Sequence, residues 1–157
     1  MQEFEVRLAQ ASDEDSIFEL CRQLCEEDSL FAMDEDAVRS VIKSCTAGVG
    51  GIIGVIPGEK ELEGVICLST DRYWYSKDWF MCQVFNFVPI KLRKSTRAKS
   101  LLTFAKNCSD DMKIPLIAGV VSNMKTEPKI KLFERNFPKA GAFFVYNESY
   151  AKVGTYG

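Results

Sequence analysis

The sequence predicts a mixed α/β fold in which helices flank a central mixed sheet. Short apolar runs with strand-like spacing alternate with longer runs of helical spacing, in the order β-α-α-β-β-β-α-β-α-β. The 157 residues, of which 46% are hydrophobic, are enough to bury one substantial core. No linker, repeat or low-complexity segment interrupts this order. We therefore expect residues 1–157 to form a single domain.

The first predicted unit is a strand followed by a helix. Residues 4–8 alternate apolar and polar side chains, as a short strand does. Ser12 or Asp13 can accept a hydrogen bond from the first turn of a helix. Apolar side chains then recur at helical spacing from Ile17 to Cys25, which predicts that the helix covers this stretch.

A second helix and a β-hairpin are predicted next. The helix starts at Asp34 or Asp36 and ends at the glycines 48, 50 and 51, because glycine is the usual helix stop. Two strands, 52–56 and 62–72, are separated by the turn sequence PGEK, which is typical of a hairpin.

The second half of the chain is predicted to continue with a strand at residues 79–88, antiparallel to the strand before it. A helix at 95–108 follows, and the apolar run 116–121 reads as a central strand. Residues 127–135 are expected to form the fourth helix and residues 142–146 a late strand.

The charge balance limits the class of partner. A net charge of −2 and a pI near 5.3 give no overall attraction to nucleic acid or to an anionic membrane. No segment is long and apolar enough to span a bilayer, and the N-terminus lacks the features of a signal peptide. We expect a cytoplasmic protein without a membrane or nucleic-acid partner.

Histidine is absent from the chain, which excludes a Ser-His-Asp or Cys-His mechanism and any metal site that depends on imidazole. We expect no metal cofactor. The cysteines lie mostly within periodic apolar segments and show no CxxC spacing, so we interpret them as small buried hydrophobic residues rather than disulfide partners. They are Cys21, Cys25, Cys45, Cys67, Cys82 and Cys108.

The most informative stretch begins at residue 80. The apolar run FMCQVFNFV ends at Pro89 and leads into the basic, amphipathic sequence KLRKSTRAKSLLTFAK. A strand therefore delivers the chain to a basic turn whose small residues open a helix. The free N–H groups of a first helical turn, with the positive end of the helix dipole, attract anions, so this turn is suited to hold a phosphate.

This stretch resembles the acetyl-CoA signature of the GCN5-related N-acetyltransferases (GNAT superfamily). The family pattern is a strand ending in Val, then Arg or Gln, two residues, Gly, one residue, Gly or Ala, and an apolar helix. Val88, Arg93 and Ala98 match it, while Thr96 stands where Gly is usual. The order of elements along nearly the whole chain matches the same acyltransferase fold.

The resemblance implies that acetyl-CoA is the co-substrate and enters a gap where the fourth and fifth strands splay apart. The backbone of Phe87 and Val88 would receive the pantetheine arm by strand addition. The turn would hold the pyrophosphate through backbone N–H groups, with charge added by two arginines. The implied turn residues are Arg93, Lys94, Ser95, Thr96, Arg97 and Ala98.

Two further positions are compared with the family. Asn123 stands where the family places an Asn that contacts the cofactor, and it can equally serve as a turn or helix-cap residue. The segment LFERNF is similar to a family segment whose Tyr protonates the departing CoA thiolate. Phe133 occupies that position and cannot donate a proton, so another group or solvent must do so.

The acceptor is expected to be a primary amine of a small molecule or protein, attacking the thioester directly in a ternary complex. Its site would be framed by the acidic loop at residues 25–34 and by the aromatic sequence at 73–75; the acidic charge would favour a cationic amine. No general base is assigned. Water held by Gln83 or Asn86 is one route, although only one of them faces the cleft if the strand is regular.

Alternatives to an active enzyme are a CoA-binding protein that has lost the chemistry and a protein-interaction module acting on a host component. The chain also resembles acetyltransferase-type proteins of bacteriophages and prophages, which would place it in a bacterial cytoplasm. A homodimer is a further expectation from the resemblance, with exposed aromatic residues such as Trp74 or Phe144 either forming an interface or closing the core.

Overall fold

The computed structural model describes residues 2–146. Five strands form one sheet in the order β1-β2-β3-β4-β5, antiparallel except for the last pair, and helices cover both faces. The predicted mixed α/β class is therefore confirmed. The elements are β1 (Arg7–Leu8), α1 (Glu14–Glu27), α2 (Glu35–Thr46), β2 (Gly51–Pro57), β3 (Leu62–Arg72), β4 (Trp79–Phe87), α3 (Arg97–Met112), β5 (Leu116–Ile117) and α4 (Thr126–Asn136), with single 3-10 turns at Ala11–Asp13 and Ile90–Leu92.

Each face of the sheet carries its own apolar cluster, because neighbouring residues of a strand point to opposite faces. On one face Val65 and Cys67 of β3 pack with α1 and α2, for example against Ile17. On the other face Ile66 and Leu68 pack with α3. All of these side chains are essentially inaccessible to water, and each buried aliphatic side chain stabilises the fold by roughly 1.5–3 kcal/mol.

The starts of the first two helices differ in how their caps are used. Asp34 caps α2, since its carboxylate accepts a hydrogen bond from the N–H of Ala37 at 2.8 Å. Gly48 and Gly50 follow the helix with φ values of 72° and 70°, which explains why glycine ends it. Asp13 holds the N-cap position of α1, but its side chain makes no capping bond to that helix.

The carboxylate of Asp13 instead joins β1 to the start of α1. It accepts two hydrogen bonds from the guanidinium of Arg7, at 2.7 and 3.0 Å, and one from the backbone N–H of Gln10 at 2.8 Å. The hydrogen bonds from Arg7 lower the pKa of Asp13, against the opposing effect of burial. The pair therefore stabilises the protein only while Asp13 is ionised.

This coupling predicts a pH dependence of stability. A depressed folded pKa gives stabilisation that is complete above the unfolded pKa and is lost as the pH falls through the folded pKa. We expect the difference in unfolding free energy between wild type and Asp13→Asn to be constant from about pH 7 to pH 5 and to shrink below about pH 4. Urea unfolding at stepped pH measures it, and a difference that widens toward acid pH would contradict the assignment.

Two predicted strands differ from the structure. The run at 116–121 pairs only at Leu116 and Ile117, and it lies at the edge of the described sheet rather than in its centre. Residues 142–146 form no strand, and Phe144 and Tyr146 are more than 90% exposed. An apolar run becomes a strand only where a neighbouring edge supplies hydrogen bonds, and β5 offers just two paired residues.

Candidate active site

A wedge-shaped gap separates β4 from β5. The two strands pair only through Met81 with Leu116 and Cys82 with Ile117. Beyond these pairs the outer edge of β4 is unpaired within the described residues, and a 3.4 Å hydrogen bond from the N–H of Gly119 to Oε1 of Gln83 crosses the gap. The splayed strands expected from the family resemblance are therefore present.

A β-bulge changes which side chains of β4 share a face. The register with β3 shifts between Cys67 and Leu68, leaving Val84 as the extra residue. Gln83 lies opposite Leu68, and Asn86 lies opposite Ile66. Because Leu68 and Ile66 belong to the same apolar cluster, Gln83 and Asn86 lie on one face of the sheet, the face that packs against α3. The strand is therefore not regular, and both amides lie on one side of the sheet.

The chain after β4 forms a short turn and a helix start where the sequence predicts an anion-binding turn. A single 3-10 turn at Ile90–Leu92 leads to α3, with Thr96 in the N-cap position. Thr96 has φ −89° and ψ 10°, a conformation open to any L-residue, so the glycine usual in the family is not required here. Among residues 2–146, no protein acceptor is bonded to the N–H groups of Thr96, Ala98 and Lys99.

Both arginines of the turn are already engaged with carboxylates. Arg93 donates from Nε to the carbonyl of Val88 at 2.9 Å and binds the carboxylate of Glu27 through both terminal nitrogens. Arg97 binds Glu63 through Nε at 2.9 Å and Nη2 at 2.7 Å. The expected contribution of these two charges to a phosphate site therefore competes with internal ion pairs.

Two lysines beside the same turn have no ion-pair partner among residues 2–146. Lys94 and Lys99 are exposed, and neither makes a hydrogen bond or ion pair with any residue from 2 to 146. Ser95 donates to the carbonyl of Leu92 at 2.6 Å, and the hydroxyl of Thr96 donates to the carbonyl of Gln2. The turn thus presents backbone N–H groups and two lysine cations to solvent.

Asn123 occupies the other side of the gap. It is 6% exposed, its Nδ2 donates to the carbonyl of Ser29 at 2.8 Å, and its backbone N–H donates to Asp28 at 2.8 Å. The structure therefore uses Asn123 to hold the loop after β5 against the loop after α1. A contact between Asn123 and the cofactor stays a prediction.

The carboxylate of Asp28 holds together the loop after α1 and the loop after β5. Besides the N–H of Asn123, it accepts hydrogen bonds from the hydroxyl of Ser122 at 2.8 Å and from the ammonium of Lys129. Burial acts to raise the pKa of Asp28, but the hydrogen bonds from Lys129, Asn123 and Ser122 outweigh burial and lower it. Sequence analysis missed Ser122 and Lys129, because nothing local marks residues about 100 positions from Asp28.

The acidic loop is not the free negative surface that the sequence suggested. Glu26 pairs with Arg22, Glu27 with Arg93 and Asp28 with Lys129, while Asp34 caps α2. Most of its charge is therefore balanced by internal cations. The expectation that this loop attracts a cationic amine is weakened accordingly.

The aromatic sequence at 73–75 lies at the opposite end of β4 from the turn that leads into α3. It precedes Trp79, and the nine residues of β4 span about 25 Å. Trp74 is 90% exposed and its ring lies edge-on to Tyr75. Of the two elements expected to frame the acceptor site, only the loop at 25–34 reaches the end of the gap beside the turn.

Phe133 packs against the α3-side cluster, with its ring centroid 5.9 Å from that of Phe137. This contact fits a role in the core.

The six cysteines are all free thiols, and burial raises the pKa of Cys21 to about 12, so this thiol is not activated. Cys45 and Cys67 lie buried with their sulfurs 3.7 Å apart, where burial raises the pKa of Cys67 as well.

Two surface pockets lie outside the gap. A cavity of about 440 Å³ lies between the N-terminal segment and α3, beside Phe4, Lys99 and Phe104. Another, of about 320 Å³, lies between α1 and the chain near Lys91. Neither is lined by Gln83 or Gly119, so the gap between β4 and β5 is part of neither cavity.

No protein-family model matches the sequence, and no curated protein is similar to it in sequence. Solved structures do match. AAC(6')-Iy, in complex with the bisubstrate analogue CoA-S-monomethyl-acetylneamine, aligns with a TM-score of 0.75 at 12% identity, over 93% of this chain and 98% of that one. A GNAT family acetyltransferase from Staphylococcus aureus aligns with a TM-score of 0.66 at 14% identity over 93% and 99%.

A ribosomal-protein-alanine N-acetyltransferase from Brucella melitensis biovar Abortus aligns with a TM-score of 0.69 at 12% identity, over 91% of this chain and 99% of that one. The chain has the GNAT acetyltransferase fold. At identities this low, the structural similarity establishes the fold alone. Within residues 2–146, no helix is both long and apolar enough to cross a membrane.

Proposed function

We propose that this protein is an N-acetyltransferase that moves the acetyl group of acetyl-CoA to a primary amine of a small molecule or protein. The observation that carries the proposal is the open edge of β4 leading directly into a helix N-terminus with unbonded N–H groups. An extended pantetheine arm fits an open strand edge, and a pyrophosphate fits a helix N-terminus. One ligand that contains both parts is acetyl-CoA.

The proposed cofactor site follows the chain from strand to helix. The backbone of Phe87 and Val88 receives the pantetheine arm, and the turn from Arg93 through Lys94, Ser95, Thr96 and Arg97 to Ala98 binds the pyrophosphate. We assign the phosphate contacts first to backbone N–H groups and to the side chain of Lys94, since the arginines have internal partners. Asn123 is proposed to border the arm from the β5 side.

The proposed chemistry is direct attack of a neutral amine on the thioester in a ternary complex. A backbone N–H near Val88 stabilises the developing charge on the carbonyl oxygen. An amine of pKa about 8–10 must first lose a proton, and the amides of Gln83 and Asn86, both on one face, are suited to hold water for this purpose. Solvent protonates the leaving thiolate, since Phe133 has no proton to give.

A thermal-melt series tests the cofactor site without knowledge of the acceptor. Acetyl-CoA or CoA at about one hundred times its dissociation constant should stabilise the protein by ~2.7 kcal/mol, which corresponds to a rise in Tm of roughly 5–10 °C. ATP at the same concentration serves as the control, because it has phosphates but no pantetheine arm. Equal shifts with ATP and acetyl-CoA, or no shift at millimolar acetyl-CoA, would contradict the proposal.

The second candidate is a protein that binds CoA, or another protein, without catalysing transfer. It is favoured by one observation, the packing of Phe133 in the position where the family has an acid. Release of free CoA thiol from acetyl-CoA, in the presence of candidate amines, distinguishes the acetyltransferase from the binding protein.

The homodimer, the cytoplasmic location and the phage resemblance stay predictions.

A further inference from the structure

Two consecutive residues at the end of α1 bind opposite sides of the gap. Glu27 binds Arg93, which in turn donates to the carbonyl of Val88, the residue that follows β4. Asp28 binds the backbone N–H of Asn123 in the segment that follows β5. Because neighbouring Cα atoms are only about 3.8 Å apart, these contacts tie the two diverging segments together through one point of the chain.

These contacts lie beside the end of β4, where the proposed pantetheine arm would enter the gap. Paired strands lie about 4.8 Å apart, so a pantetheine arm added to β4 requires a separation of about 10 Å between β4 and the chain beyond β5. The bidentate geometry between Arg93 and Glu27 restricts both distance and orientation. On the other side, the side chain of Asp28 is 6% exposed and fixed by three partners.

We propose that Glu27 and Asp28 form a clamp that sets the width of the gap between β4 and β5. The inference rests on the proposed function, in that the gap is taken to hold the pantetheine arm. Glu27 is then a positioning residue that acts through Arg93 and touches neither cofactor nor acceptor. Its role is to hold the β4 side at the distance that the arm requires.

The clamp and a phosphate-binding role of Arg93 predict different results. If Arg93 acts by contacting phosphate, removing the Glu27 carboxylate frees the guanidinium. Every ligand that carries the pyrophosphate should then bind more tightly. If Arg93 acts through Glu27, removing either side chain weakens the binding only of ligands that carry the pantetheine arm. The two single changes are then non-additive, because each breaks the same contact.

The experiment compares two probes by calorimetry on the full chain. Acetyl-CoA carries the pantetheine arm, and 3′-phospho-ADP is its nucleotide part alone. For Glu27→Gln we expect the dissociation constant of acetyl-CoA to rise about tenfold through lost preorganisation, while that of 3′-phospho-ADP stays within about twofold of wild type. The matched control is Glu26→Gln, whose carboxylate pairs, among residues 2–146, only with Arg22 on the same helix, and both constants should stay at wild-type values.

Glu27→Asp keeps the charge but shortens the side chain by one methylene, so it should fold and give an intermediate loss for acetyl-CoA alone. Equal losses for both probes, or no loss for acetyl-CoA, would overturn the clamp. If wild type binds neither probe, the proposed function fails, and amide hydrogen exchange then decides the clamp by itself. Exchange of the N–H groups of Leu92 and Arg93, on the β4 side that Glu27 holds, about tenfold faster in Glu27→Gln than in Glu26→Gln supports it, and equal exchange overturns it.

Discussion

Acetyl-CoA binding should weaken about a hundredfold when Lys94 and Lys99 are both changed to glutamate, a loss of ~2.7 kcal/mol. These lysines lie beside the N–H groups of the turn, and their ammonium groups have no ion-pair partner among residues 2–146. Each replacement removes an attraction and adds a repulsion toward a pyrophosphate, and a pair of unit charges about 4 Å apart is worth about 1 kcal/mol even in water. Calorimetry at low ionic strength measures the effect, which should shrink at about 0.5 M salt.

The control is the double change of Lys43 and Lys77 to glutamate, which alters the net charge by the same amount. Lys43 lies in the last turn of α2, which leads to the start of β2 at Gly51, and Lys77 lies in the loop before β4, so both are near the end of the sheet remote from the turn. Acetyl-CoA affinity should change less than about threefold in this variant. Equal losses in both double variants would show that only overall charge matters, and the assigned phosphate site would be abandoned.

The elements that were predicted correctly are those specified by local signals. The start of α2 is set by the cap at Asp34 and its end by the glycines that follow it, so both ends are determined by nearby residues. Residues 62–72 became β3, where the alternation of Val65 to Leu68 divides the side chains between the two faces. These patterns need no knowledge of distant residues.

The strands predicted wrongly depended on distant partners. The run at 116–121 is apolar enough for a central strand, yet it pairs with β4 for only two residues because the strands diverge. Residues 142–146 are apolar and aromatic, but no described strand edge pairs with them. Strand formation requires a partner, and the sequence of one strand does not state where its partner ends.

The candidate site shows the same division. The turn and its helix could be predicted, since strand, turn and helix follow one another along the chain. The partners of its arginines could not, because Glu27 is 66 residues from Arg93 and Glu63 is 34 residues from Arg97. The bulge at Val84 was equally hidden, since it is a property of the register between two strands.

Asp28→Ala is expected to lower the unfolding free energy by about 3 kcal/mol, the largest loss of stability we predict for a single substitution outside the apolar cores. The change leaves the buried backbone N–H of Asn123 without its acceptor and separates Lys129 from its partner. Tm should fall by roughly 6–12 °C. Urea unfolding with fluorescence detection gives the free energy directly.

Asp28→Asn keeps an acceptor oxygen but loses the charge, so we expect about half of that loss. Asp78→Ala is the control, because the side chain of Asp78 is exposed and makes no hydrogen bond within residues 2–146; its effect should stay within about 0.5 kcal/mol. A loss below about 1 kcal/mol for Asp28→Ala would mean that the loops on the β5 side hold without this carboxylate. In that case Asp28 could not anchor the clamp, and Glu27 would have to position the gap from the β4 side alone.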